Sequence, residues 1–82
     1  MKIARMTRGS WGKIVAFFDV ELSGMTVKGF KLISGQDGLF VGVPSIKKED
    51  GTYDNTVFVE KEKMPMLNQI ASMEYDKVPN QG

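Results

Sequence analysis

Lys47-Lys48, followed at once by Glu49-Asp50, is the densest charge cluster of the sequence. Two adjacent ammonium groups on a loop can engage neighbouring phosphates, and each contact releases a condensed counterion. Glu49 and Asp50 offset that charge, so the same four residues also read as a solvated polar loop. Lys28 and Lys31 form a second basic pair within a stretch of strand character. They either flank a phosphate track or serve as surface lysines that discourage edge aggregation. Arg5 and Arg8 offer the same chemistry in a looser arrangement. Trp11, Phe17, Tyr53 and Phe58 are aromatics that would stack nucleic-acid bases if exposed beside lysines. Phe17 and Phe58 read first as core or dimer interface, while Trp11 and Tyr53 suit either role.

Other chemistries lack their parts. The chain has no His and no Cys. That removes the commonest general base, the commonest metal ligand, any thiolate site and any disulfide framework. Gly35, Gly38 and Gly42 superficially suggest a phosphate cradle, but no helix follows them and the P-loop lysine is missing. They are read as turn residues. Glu49, Asp50 and Asp54 could be offered as paired carboxylates, but with no pocket signal they are read as a polar loop. Met64, Met66 and Met73 are read as core and interface filler. The expectation is a binding protein, not an enzyme, with no cofactor and no metal.

Size and charge narrow the class further. Eighty-two residues make one domain. A chain this short buries only about 60% of its extended surface, and without disulfide or metal the remaining reinforcement is oligomerisation. Net charge is +1, from 11 basic and 10 acidic side chains. Such a balance exerts no global pull on polyanions, so any nucleic-acid contact must come from a local patch. No apolar run approaches the roughly 20 residues that span a bilayer. Lys2, Arg5 and Arg8 are followed by Ser10-Trp11-Gly12-Lys13 instead of a signal-peptide apolar region. A soluble cytoplasmic protein with no membrane partner is expected.

Several elements must position these residues. Residues 2–8 alternate loosely and predict a first strand, ended by Gly9-Ser10-Trp11-Gly12. From Lys13 to Leu22, Ile14, Ala16, Phe18, Val20 and Leu22 share one face. The opposite face turns from apolar to acidic at Asp19. Ser23-Gly24 predicts a two-residue hairpin. The third strand, Met25 to Ser34, changes phase at Gly29, which predicts a bulge there. If the phase breaks there, Lys28 and Lys31 point the same way. Gly35 and Gly38 bracket the next turn. Leu39, Phe40, Val41 and Val43 then read as a strand shielded on both faces, stopped by Pro44. Residues 46–55 are a polar excursion turning at Asp50-Gly51. Thr56-Val57-Phe58-Val59 could supply a short fifth strand. Pro65 suits the first turn of a helix carrying Met66, Leu67, Ile70 and Met73. Glu60 and Glu62 would complement its positive end.

The run Gly38-Leu39-Phe40-Val41, then Pro44-Ser45, Lys47-Lys48, and Asp50-Gly51 with Tyr53, resembles the SpoVG family of septation regulators. The Met1-Lys2-Ile3 start and Glu74-Tyr75 at the helix end also match. The resemblance implies a small homodimer that binds DNA and RNA and regulates genes, with sheet edges used in dimerisation. It places the family's basic pair at Lys47 and Lys48, and a further basic position at Lys31. This chain departs from the pattern at Ile46, where the family has the first of three basic residues. It departs again at Phe58-Val59, which replaces His-Pro, and at Lys63-Met64-Pro65, which replaces a polar cap and an Arg.

The resulting expectation is an α+β domain over residues 1–77, with a flexible tail at 78–82. An antiparallel meander of four to five strands precedes one C-terminal helix. The expected nucleic-acid contacts are Lys47, Lys48, Lys31 and Lys28. The alternative is a dimeric protein-interaction module of the same fold with little nucleic-acid binding, motivated by the near-zero net charge and the apolar replacements.

Overall fold

Strand alternation dominates the first half of the chain, and the computed structural model describes residues 1–78. β1 (Lys2–Trp11), β2 (Ile14–Leu22), β3 (Met25–Gly35) and β4 (Gly38–Gly42) form an antiparallel sheet in the order β1-β2-β3-β4. This is the expected meander. β5 (Ser45–Lys47) and β6 (Tyr53–Asn55) pair as a separate two-stranded sheet, and α1 (Met64–Lys77) follows. The fold class is α+β.

Local chemistry sets the turns and the register. Ser23 at φ 50° and Gly24 at φ 81° both occupy the left-handed region, the geometry of a tight hairpin whose twist matches its strands. Gly29 has φ 95°. Around it Phe18 pairs with Phe30 but Val20 pairs with Val27, so β3 holds one residue more than β2. The phase change expected at Gly29 is therefore a bulge.

The core lies on one face of the sheet. Ala16, Phe18 and Val20 of β2, Phe30 and Leu32 of β3, and Val41 of β4 meet Leu67 and Ala71 of α1. Phe18 and Phe30 stack with ring centroids 5.4 Å apart. Burying a side chain of this size contributes about 1.5–3 kcal/mol. Two polar ties then hold the helix across the sheet. Asn68 Oδ1 accepts the Val41 backbone N–H at 2.9 Å, covering a donor on the edge strand. Arg8 Nη1 donates to the carbonyls of Val78 at 3.0 Å and Tyr75 at 3.4 Å. Its guanidinium carbon lies 3.9 Å from the Tyr75 ring centroid. A cation at a helix C-terminus complements the dipole, and the ring adds a cation–π contact. Arg8 is thus committed to fastening the helix.

Several expectations change. The Leu39–Val43 run is shielded on one face only: Val41 is buried, but Phe40 is exposed. A single helix cannot cover both sides. Thr56–Val59 forms no strand. Its alternation is real, since Val57 and Val59 pack against the core while Phe58 is 88% exposed. The segment crosses the covered face near Val20, Val27 and Phe30, where no free strand edge is available to pair with it. Phe58 is not part of the core. Glu60 and Glu62 precede the helix, whose first turn holds no acid; Lys63 is its N-cap residue and makes no side-chain capping bond. Of the expected tail, the Val78 N–H bonds the Glu74 carbonyl, and 79–82 lie outside the described residues.

Leu67 is fully buried and Phe58 is not. Urea denaturation should therefore show Leu67→Ala losing about 2–5 kcal/mol. The cost of Phe58→Ala should stay within about 0.5 kcal/mol.

Candidate nucleic-acid interface

The excursion after Pro44 is a short hairpin arm with a closed base and a closed tip. At the base, the Thr56 N–H donates to the Pro44 carbonyl at 2.9 Å. Ser45 pairs with Asn55, Ile46 with Asp54, and Lys47 with Tyr53. At the tip, the Lys48 N–H donates to the Thr52 carbonyl at 2.7 Å, and the Gly51 N–H donates to the Lys48 carbonyl at 3.1 Å. Gly51 has φ 88°, a conformation that costs glycine little. Asp50 completes the tip by accepting the Thr52 hydroxyl at 2.6 Å and the Thr52 backbone N–H at 3.0 Å. These bonds, the hydroxyl first, hold the Asp50 carboxyl below its ordinary pKa.

This geometry engages one of the two acids, while Glu49 stays exposed beside the lysines. The Asp50 carboxylate is turned into its own loop, whereas Lys47 and Lys48 are exposed. Among the described residues the ion pair is Lys2 with Glu21 at 3.6 Å, which involves neither loop lysine. Lys47, Lys48, Glu49 and Asp50 line one wide, shallow depression. Tyr53 is 67% exposed and stands directly across the strand pair from Lys47. An exposed ring beside an ammonium group can take a base while the ammonium group takes a phosphate. The arm is rooted against β3: a Cβ on Gly29 would lie 3.5 Å from Pro44 Cβ.

Lys28 and Lys31 lie apart from the arm, on the sheet face that α1 leaves bare. Lys31 is opposite Phe17 on β2 and Gly42 on β4. Lys28 lines a depression with Arg5, Thr7, Phe17 and Asp19. The bulge at Gly29 thus brings both lysines to one face. Sequence reasoning placed Phe17 in a core or an interface, but it is half-buried on this same face. Its register partners Thr7 and Lys31 are the signal that places it there, and they are visible only once the strands are paired.

Among the described residues no group of His, Cys, Asp and Glu could hold a metal ion, and no helix is long and apolar enough to cross a membrane. A model of the SpoVG family matches residues 1–77. The chain belongs to the SpoVG family. A relative from Symbiobacterium thermophilum is 34% identical over 73 residues, covering 87% of this chain and 52% of its own. A relative from Clostridium perfringens is 32% identical over 71 residues, covering 84% of this chain and 79% of its own. Both carry SpoVG septation-protein names. The chain spans about half the length of the first relative, as the 52% coverage shows. In this SpoVG chain Ile46 is exposed on the arm, pairing with Asp54, so the arm presents an apolar residue one position before its two lysines.

Thr52→Val keeps the backbone bond to Asp50 and removes the hydroxyl bond. The Asp50 carboxyl pKa should rise toward its ordinary value, read from a pH titration of its carboxyl carbon shift. Because the folded value is the lower one, the wild-type loop gains stability above the ordinary carboxylate range. That contribution should disappear as pH falls through the folded value.

Proposed function

We propose that this chain is a homodimeric DNA- and RNA-binding regulator that neutralises backbone phosphates with Lys47 and Lys48. The observation that carries the proposal is the hairpin arm. Both lysines stand on a short hairpin closed by hydrogen bonds, the Asp50 carboxylate is engaged by Thr52 within the tip, and Tyr53 stands across from Lys47. Lys31 and Lys28 add positive charge on the bare sheet face. Few of these side chains suit base-edge readout, so sequence preference is weak. The septation-protein names of the relatives support a regulatory role. Binding in the cytoplasm is the proposed activity, not catalysis.

An open sheet edge supports the dimeric part of this reading. β1, with 10 residues, is an edge strand of the sheet, whereas the β4 edge has a donor taken by Asn68. A long unpaired edge invites pairing with a second copy. A two-fold pair would carry about four loop lysines, enough for measurable phosphate binding. Sedimentation equilibrium at micromolar concentration should give twice the chain mass, and a single-chain mass would contradict this part of the proposal.

A groove beside the helix start favours a second reading, a dimeric protein-interaction module. It encloses about 400 Å³ and is lined by Val20, Leu22, Val27, Phe30, Phe58 and Met66 among others. Mobility shift at low salt separates the two readings. Wild type should shift both single- and double-stranded oligonucleotides, and the Lys47→Ala/Lys48→Ala double variant should shift them at least about tenfold more weakly. Absence of a shift in wild type, or an equal shift in the double variant, defeats the lysine mechanism.

A further inference from the structure

The bare face of the four-stranded sheet carries a feature that the arm does not use. Trp11 at the end of β1 meets Phe17 of β2 edge-to-face, with centroids 4.8 Å apart and planes at 66°. The Trp11 ring lies over Gly9: a Cβ at residue 9 would overlap Cη2, Cζ3 and Cζ2 of the indole. The missing side chain is what lets the ring lie down on the strand. Even so, Trp11 keeps 46% of its surface exposed. Phe17 is flanked in register by Thr7 and Lys31. Beside it Arg5, Thr7, Phe17, Asp19 and Lys28 line a depression of about 260 Å³. In that depression Arg5 and Lys28 face the carboxylate of Asp19, Lys31 lies beside Phe17 on the same face, and Glu21 further along β2 is paired with Lys2. Among the described residues none of Arg5, Lys28 and Lys31 forms an ion pair.

We propose that Trp11 and Phe17 are a stacking platform for a short single-stranded segment, with Lys31, Lys28 and Arg5 holding its phosphates. The proposal rests on the reading that this chain binds nucleic acid, and it adds a second site and a strand preference. Unpaired bases present free π-faces that stack on aromatic rings, and this stacking tolerates any sequence. Duplex bases are already stacked on one another, so their π-faces are not free to stack on these rings. The local excess of cations fits a polyanion, and the paired rings supply what a phosphate-only contact would not need.

Trp11 is the sole tryptophan, so its emission reports the platform directly. Wild type is titrated with a fluorescein-labelled thymidine decamer for anisotropy, and with the unlabelled decamer for Trp11 emission. The decamer should quench Trp11, and the matching duplex should leave the emission unchanged. Trp11→Ala should weaken decamer binding roughly 5- to 100-fold, with Trp11→Phe recovering most of the loss. The quench should persist in the Lys47→Ala/Lys48→Ala variant at higher decamer concentration, which separates the platform from the arm. If the decamer binds wild type with Trp11 emission unchanged, and Trp11→Ala binds equally well, the platform is wrong while nucleic-acid binding stands. If neither decamer nor duplex binds wild type, both readings fall.

Discussion

One helix is available to cover a sheet with two faces. Leu67 and Ala71 of α1 are completely buried against Ala16, Phe18, Leu32 and Val41, and this packing defines the inside of the molecule. Residues on the opposite face are left half-buried or exposed as a consequence. That is why Phe17 and Phe40 are at least partly open to solvent although they belong to apolar runs, and why Trp11 is exposed at the end of β1. The helix is fixed laterally by Asn68 on the edge strand and at its C-terminus by Arg8. Both ties use polar groups to set a position that apolar packing alone leaves free to slide. The molecule therefore has a defined bare face, and its charged residues acquire defined neighbours.

The candidate site follows from that layout. Pro44 ends β4 and packs toward Gly29, so the hairpin arm leaves the sheet at the bulge. The same bulge brings Lys28 to the bare face with Lys31. A net charge of only +1 is thus compatible with local concentrations of positive charge, because the acids are disposed differently from the bases. Asp50 is held by Thr52, and Glu21 is paired with Lys2. The loop lysines and the face lysines remain available.

Much of this was legible in the sequence wherever the determinant was local. Ser23-Gly24 specified a turn, Gly29 specified a bulge, and the spacing of Leu67 and Ile70 specified a helix. Features set by distant partners were not legible. Arg8 reaches carbonyls 67 and 70 residues away, so it looked like one more surface cation. The neighbours of Phe17 come from β1 and β3, and its sequence context of Val15, Ala16 and Phe18 pointed to a core. The opposition of Lys47 and Tyr53 depends on how the Asp50–Thr52 tip closes, a loop register that composition does not set. Val57 and Val59 alternate like a strand, yet whether such a segment pairs or packs depends on whether a free edge lies beside it.

The account depends most on Lys47 and Lys48 as phosphate ligands of a two-fold molecule. Salt dependence of binding counts such contacts. The slope of log K against log salt should be smaller in magnitude by roughly 3 to 4 for the Lys47→Ala/Lys48→Ala variant than for wild type on duplex DNA, as expected for about four lost phosphate contacts. Parallel lines for the two proteins would place the phosphate contacts elsewhere and contradict the account.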